Sequence, residues 1–461
     1  MVLKLAAIAA VLGLALAQAF IIGRVELTFD EAYYALWARW PQAGYFDHPP
    51  LVAWTIAASQ ALFGRGEFGV RALFWLMGAS LPALTAWIGW RLFADATTAA
   101  AAALIFVGAP LIAGAPLATP DTPLVFFWTL ALAGLAEVYR GRPWAWGLVG
   151  LAAGAAGLAK MTAGFLAFGV ALALAATPSL RRQWRRPGPW LAAALALAVL
   201  SPFLAWNATH GFATFLKQGG RLEVRAFAPH YLAEFVATQL LLFNPLSAAA
   251  ALYAAGRLRA APSEPVRLLL ASLAPALGYF VLHALHDRVQ GNWPAPLYPA
   301  LALLAARATR QMRWPAPAAA ALGLTLVAAA YAHLATGRPA LGPSDPFLRI
   351  GGWRGLSAQV FAVAKTRHAG FVLAQGYAAT SLLSFYGPPS PPVAQAGEPE
   401  RWTFRPPLAL GGEGLAFGAP GFAVALGRLY PDVKPLQILR RRVGGVELEP
   451  YVLFSVSGAA R

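Results

Sequence analysis

Eleven runs of mostly apolar residues, each close to helical spanning length, fill the first 335 positions: about 3–23, 69–93, 97–115, 121–139, 144–159, 162–178, 189–207, 232–256, 267–286, 293–308 and 315–335. About 20 residues of helix cross the hydrocarbon of a bilayer, where only a helix or a closed barrel satisfies its own backbone. The runs predict an α-helical polytopic membrane protein with about 11 transmembrane helices. Composition agrees, at 59% hydrophobic and 12% charged residues with a mean hydropathy of +0.57, whereas soluble domains are about 25% charged. Val52 to Phe63 is too short to span and reads as an interfacial helix. The first run passes a small-residue triplet, Ala17-Gln18-Ala19, of the kind cut in signal peptides, but stays apolar through Ile22, so a retained first helix is expected.

The formal charge of +17 forms no single basic face of the kind nucleic acid requires; Arg and Lys fall in short clusters between apolar runs. With Lys4 cytoplasmic, alternate loops hold Arg91, then Arg140 and Arg142, then Arg181, Arg182, Arg185 and Arg186, then Arg257, Arg259 and Arg267, then Arg307, Arg310 and Arg313. All fall on one side, which the positive-inside rule assigns to the cytoplasm. The opposite face then collects Asp30, Glu31, Asp47, His48, Asp121, Lys160, Asn207, His210, Arg221, Glu223, Arg225, His230, Asp287, Arg288 and Asn292. An odd number of spans places the chain after Arg338 outside too. The chain has no cysteine, which excludes disulfides, thiolate chemistry and cysteine metal sites.

Beyond residue 337 the spanning runs stop and Gly and Pro rise. This predicts a transmembrane domain at 1–337, with a large first outer loop at 24–68, and a small extracytoplasmic α/β domain at 338–461. Within the latter, 368–374 and 421–426 read as short buried strands, 356–365 as an amphipathic helix, and the proline-rich 387–405 as a loop. No internal repeat is visible, so an inverted-repeat transporter has no support.

The first outer loop concentrates the chemistry. Asp30 to Pro50 holds three carboxylates (Asp30, Glu31, Asp47), His48 and six aromatics (Tyr33, Tyr34, Trp37, Trp40, Tyr45, Phe46), in a chain with only 19 acidic residues. Aromatics suit the membrane interface and carboxylates do not, so the loop suggests a site for a polar head group. Transfer from a lipid phosphate fits. Asp30 or Glu31 can act as base on an acceptor hydroxyl, and Lys160, Arg221, Arg225, Arg288 and protonated His48 can offset charge on a departing phosphate. As neighbours on a helix, Asp30 and Glu31 diverge by about 100°, so one can act while the other braces the loop. Each candidate also has a plainer reading. Pro49-Pro50 is helix-start punctuation, Asp121 a helix N-terminal acid, Lys160 a snorkelling side chain, and Asn292-Trp293 an interface marker. No metal-ligand spacing stands out, although Asp30, Glu31 or Asp47 can be asked to hold a divalent cation.

In order along the chain, Asp30-Glu31, Asp47-His48-Pro49-Pro50-Leu51, Pro120-Asp121-Thr122-Pro123-Leu124, the Lys160 turn and Asn292-Trp293-Pro294-Ala295-Pro296 resemble bacterial glycosyltransferase family 39. These are GT-C glycosyltransferases similar to protein O-mannosyltransferases and lipid A aminoarabinose transferases. The match extends over residues 1 to about 310; the tail is similar more weakly, through Gly352-Trp353 and Ser384-Phe385-Tyr386. The resemblance implies that Asp30 is the essential acid of the first outer loop, with Glu31 its neighbour. It also implies a single sugar moved, with inversion, from a polyprenyl-phosphate donor to an envelope acceptor: lipopolysaccharide core, lipid A or protein. The enzyme would sit in the bacterial inner membrane with its site outward. His48 stands where aminoarabinose transferases carry lysine and mannosyltransferases histidine, which leaves the acceptor open. The alternatives are a lipid-linked sugar transporter, or a ligase of the O-antigen type, which would centre on a long later loop.

Overall fold

The computed structural model describes residues 1–220, 226–258, 262–312, 314–338, 342 and 345–458. Arg221, Glu223, Arg225, Arg259 and Arg313, singled out above, lie outside the described residues. The helices of the apolar part run α1 (Val2–Ile21), α2 (Phe29–Trp37), α3 (Leu51–Phe63), α4 (Glu67–Phe93), α5 (Ala96–Val107), α6 (Asp121–Tyr139), α7 (Ala145–Ala159) and α8 (Gly164–Ala176). They continue as α9 (Pro187–Thr209), α10 (Ala213–Gly219), α11 (His230–Leu242), α12 (Pro245–Leu258), α13 (Glu264–His283), α14 (Tyr298–Ala308) and α15 (Pro315–Thr336).

This is a multi-pass membrane protein. Among the described residues six helices (α1, α4, α6, α9, α13 and α15) are long and apolar enough to span, or eight segments if two bent helix pairs count as one span each. Every expected run coincides with helix, but not every run is one straight helix. The run at 232–256 is a correction: α11 and α12 meet at a bend of 111°. The break falls at Asn244, whose backbone is left-handed (φ 77°), and at Pro245, which has no N–H to continue the ladder. The buried Asn244 amide fills the gap, its Nδ2 donating to the carbonyls of Gly108 (3.1 Å) and Ala319 (2.9 Å) and its Oδ1 accepting from Leu246 N. At the same place the end of α5 crosses α15. A Cβ on Gly323 would lie 1.9 Å from the Gly108 carbonyl oxygen, so only glycine permits the approach.

The chain forms two compact units, Met1–Ala19 with Ala43–Val52 and Ala72–Ala328, and Phe20–Gln42 with Ala53–Arg71 and Ala329–Arg461. Most of the first outer loop therefore belongs with the C-terminal part. There, α16 (Trp353–Thr366), β1 (Val372–Gln375), α17 (Gly376–Tyr386), β2 (Val393–Ala396), β3 (Gly414–Gly418), α18 (Phe422–Leu429), β4 (Asp432–Val443) and β5 (Val446–Ser457) build a five-stranded sheet ordered β2-β1-β3-β5-β4. β1 is parallel to β2 and β3, and β5 is antiparallel to β3 and β4. The α17 crossover supplies the parallel connection.

The expected helix at 356–365 and strand near 368–374 are present, with β1 starting at Val372. Two readings are corrected. The run 421–426 is helical: Phe422 and Leu426, four apart, are buried while Val424 is 70% exposed, the period of a helix face rather than a strand. The segment 387–405 is not all loop, since Val393–Ala396 forms the edge strand beyond its prolines.

Candidate active site

The sequence around Asp30 builds its own helix start. Thr28 caps α2: its Oγ1 accepts the Glu31 N–H (3.3 Å), while Glu31 Oε2 accepts the Thr28 N–H (3.0 Å) and hydroxyl (3.1 Å). This reciprocal capping box fixes where α2 begins and which way Glu31 turns. Glu31, fully buried, meets Arg71 face to face, at 2.6 Å from Nε and 2.7 Å from Nη2. The other Arg71 donors go to the carbonyls of Ile22 (2.9 Å), Val25 (2.7 Å) and Glu26 (2.9 Å). All five guanidinium N–H groups are thus used, and one side chain ties Glu31 to three carbonyls of the turn between α1 and α2.

Asp30 points elsewhere, as its place one residue along the helix requires. It is half-buried, and Tyr377 at the start of α17 donates its hydroxyl to Asp30 Oδ1 at 3.2 Å. The Tyr377 ring is held edge-on by Phe29 and Tyr33, with centroids 5.6 Å away in both cases, and the Arg401 guanidinium lies 4.7 Å over it. Tyr33, Tyr34 and Trp37 do not form an interfacial belt; they are buried, with Tyr33 packed on Trp402 at 5.5 Å and its hydroxyl on the Arg401 carbonyl at 3.0 Å. Arg405 stacks over Trp402, and burial pulls its guanidinium down to about 10, against a small opposing pull from Tyr33.

The other end of α17 grips the same turn. Tyr386 accepts the Leu27 N–H (2.7 Å) and donates to Glu67 (3.2 Å), which also pairs with Arg354. Burial pushes the Tyr386 phenol up. Glu26 caps α16 from afar, accepting the backbone N–H of Trp353 at 2.7 Å; burial raises its carboxyl although these N–H groups oppose it.

In the other unit, three residues picked out from sequence meet at one carboxylate. Asp121 opens α6, Lys160 sits in an extended turn after α7, and Asn292 precedes α14. Lys160 Nζ is 2.7 Å from Asp121 Oδ1 and Asn292 Nδ2 is 2.8 Å from Oδ2. A snorkelling lysine would reach for solvent; this one is only 8% exposed as a residue. Asp47 and His48 are also buried, at 7% and 9%, in a loop clamped by α10. Thr214 donates to the Tyr45 carbonyl (2.6 Å), Gln218 to the Asp47 carbonyl, and the Lys217 ammonium lies 5.2 Å over the Phe46 ring.

Arg288 stands apart as an exposed ion pair with Glu234 (2.7 Å, side chains 59% and 40% exposed), the kind that contributes little. Arg221 and Arg225 lie outside the described residues. Among the described residues no group of three or more His, Asp or Glu is placed to hold a metal ion. Arg71, Tyr377 and Arg401 were not singled out from sequence. Thr28-x-x-Glu31 is a readable capping-box pattern that would have assigned Glu31 its bracing partner; nothing local marks Tyr377, which is 347 residues from Asp30.

Residues 47–206 match the family described as dolichyl-phosphate-mannose-protein mannosyltransferase. The undecaprenyl phosphate-alpha-4-amino-4-deoxy-L-arabinose arabinosyl transferase of Pseudomonas aeruginosa is 36% identical over 168 residues, covering 35% of this chain and 29% of that protein. Lipid A galacturonosyltransferase RgtD of Rhizobium johnstonii is 28% identical over 302 residues, 60% of this chain and 59% of that one. The matched part of the chain thus spans less than two thirds of either relative, 29% and 59%. Among solved structures, ArnT from Cupriavidus metallidurans, both apo and bound to undecaprenyl phosphate, superposes with a TM-score of 0.70 at 18% identity over 97% of both chains. AglB, the oligosaccharyltransferase of Archaeoglobus fulgidus, does so at 0.52 and 11%, over 82% of this chain and 63% of that one. The fold is that of ArnT, and the expected resemblance to GT-C glycosyltransferases holds.

Proposed function

We propose that this chain, with its GT-C fold, is an inverting glycosyltransferase that moves a single sugar from a polyprenyl phosphate to a cell-envelope acceptor. Asp30 takes the proton of the acceptor hydroxyl. The freed oxygen bonds to the anomeric carbon as the bond from that carbon to the phosphate oxygen breaks, and the polyprenyl phosphate leaves with the charge. Glu31, the other acid named for this step, is the brace. Asp47, His48, Asp121, Lys160, Arg221, Arg225, Arg288 and Asn292 are assigned to the donor phosphate and substrate. Of these the Asp121–Lys160–Asn292 cluster is best supported, because three separate segments bring it together.

The observation that carries the reading is the contrast between two adjacent carboxylates. Glu31 spends its oxygens on Arg71 and Thr28 and is sealed, while Asp30 keeps partial exposure under a tyrosine hydroxyl. A loop kept this rigid around one accessible acid suits a base that must meet an incoming hydroxyl. The names of the matched relatives favour an amino- or acidic-sugar donor on undecaprenyl phosphate and lipid A as acceptor; lipopolysaccharide core and protein are the other acceptors to try.

The same proposal includes eleven crossings, a transmembrane domain at 1–337, an extracytoplasmic domain at 338–461, and residence in a bacterial inner membrane with Asp30 facing outward. Because the chain has no cysteine, single cysteines placed in successive loops can be labelled from one side without background.

The deciding experiment offers purified protein in lipid a panel of labelled polyprenyl-phosphate sugars, with lipid A, core and peptide acceptors, and compares wild type with Asp30→Asn. Transfer abolished in a folded Asp30→Asn supports the reading. Movement of the intact carrier between leaflets, unaffected by Asp30→Asn and without sugar release, would replace it with transport. Runs with EDTA and with added magnesium test the divalent cation considered for Asp30, Glu31 and Asp47.

A further inference from the structure

We propose that Tyr377, supplied by the C-terminal domain, is a positioning residue that holds the Asp30 carboxylate in the orientation the transfer needs. This rests on the reading of Asp30 as the base. Three observations converge on the hydroxyl. It donates to Asp30 Oδ1 at 3.2 Å, longer than the usual O–H···O contact, as catalytic contacts often are before substrate arrives. The ring is fixed from two sides by Phe29 and Tyr33, so the hydroxyl has little freedom to leave. Arg401, 4.7 Å over the ring face and tied by its Nε to Glu398 at 3.0 Å, draws electron density from the phenol and sharpens it as a donor.

The placement is built, not incidental. Tyr377 is the second residue of α17, and the far end of that helix holds Leu27 N through Tyr386, so one end of α17 is anchored to Asp30 and the other to the residue three before it. Titratable and charged groups near Asp30 include Tyr377, with Arg401 and Glu398 beyond its ring, and the adjacent Glu31 on its own helix, closed by Arg71. A hydroxyl that donates to the carboxylate favours the charged form, so its loss makes Asp30 harder to ionise.

The test compares Tyr377→Phe, Phe29→Leu and Asp30→Asn with wild type in the sugar-transfer assay across pH, with thermal midpoints in detergent. Tyr377→Phe keeps the ring packing and the cation over it and removes only the hydroxyl. It is expected to lower kcat about tenfold, as for one lost hydrogen bond to a charged group, with donor KM within about twofold. The acid limb of its pH–rate profile is expected to move upward by about one pH unit. Phe29→Leu, which loosens one of the two ring contacts and spares the hydroxyl, is expected to move that limb by less than Tyr377→Phe does. A Tyr377→Phe protein with wild-type kcat and pH profile, beside an inactive Asp30→Asn, would overturn the proposal alone. A loss shared equally by Phe29→Leu, with no movement of the limb, would overturn it in favour of packing. Transfer surviving in Asp30→Asn would instead remove the premise, and the proposal with it.

Discussion

Replacing Arg71 by methionine removes the five guanidinium donors that tie the turn between α1 and α2 to Glu31. Arg71 is 2% exposed, and its five N–H groups go to both Glu31 oxygens and to the carbonyls of Ile22, Val25 and Glu26. The variant keeps a stem of similar shape but leaves a sealed carboxylate with no opposing charge, held by Thr28 alone of the partners named above, and three carbonyls without their guanidinium donors. Breaking a buried ion pair from one side costs roughly 3–5 kcal/mol. If that cost falls on local opening of residues 20–42, the opening constant rises by roughly two to three and a half decades. Hydrogen exchange of peptides from this segment, measured in lipid nanodiscs, reads that constant directly. Arg71→Lys should fall between wild type and Arg71→Met, since one ammonium has three donors and no fork to match the carboxylate. The double variant Glu31→Gln/Arg71→Met should exchange more slowly than Arg71→Met, because no charge is then stranded. Exchange in Arg71→Met within about threefold of wild type would refute the reasoning, for the turn would then be held by something other than this side chain.

Three further outcomes are expected. Lys160→Met strands Asp121 against Asn292 alone and should raise the donor KM and cut transfer about 100-fold, with partial recovery in Lys160→Arg; a lower melting temperature with unaltered donor KM would make the cluster structural. Asn244→Gly keeps the left-handed hinge and loses the amide contacts, at about 2–3 kcal/mol, whereas Asn244→Ala adds about 1 kcal/mol of backbone strain; thermal midpoints ordered wild type, Gly, Ala would bear this out, and equal midpoints for Gly and Ala would not. The Glu26 carboxyl is raised from 4.5, chiefly by burial. Its contribution to stability is therefore fully present below pH 4.5 and is lost as pH rises through the raised value. The stability of wild type relative to Glu26→Gln should fall between acid and neutral pH, and a difference independent of pH would contradict it.

The parts of this protein that follow from periodicity were readable in advance. Spanning helices declare themselves by length and apolarity, and each expected run holds helix because lipid leaves the backbone no other choice. What periodicity does not encode is where a run breaks. The bend at Asn244 needs a partner carbonyl from α5 and another from α15, and neither is visible from the sequence around it. The run at 421–426 failed for a related reason: six apolar letters fit a buried strand and a short helix equally, and the exposed Val424 settles it only in three dimensions.

The candidate site divides in the same way. Asp30, Glu31, Asp121, Lys160 and Asn292 stood out because charge is rare in this chain and polar groups in apolar surroundings are costly. That Asp121, Lys160 and Asn292 share one carboxylate was not readable, since they lie 39 and 171 residues apart. Arg71 looked like one more arginine at a helix start, and Tyr377 like one more tyrosine in a soluble domain. Both acquire meaning only from the fold that brings them to the Asp30–Glu31 turn.

The crossing of α5 and α15 has a consequence for how this protein can vary. Gly108 and Gly323 touch through a carbonyl, and Asn244 reads that carbonyl together with Ala319. Any side chain at either glycine pushes two backbones apart and takes the acceptors out of reach of the amide. Damage at one position therefore leaves less to lose at the next, so combined substitutions at the three sites should cost less than the sum of their separate effects. For mutation this spot behaves as a single locus spread over three distant stretches of gene, and drift can rework it only by changing them together.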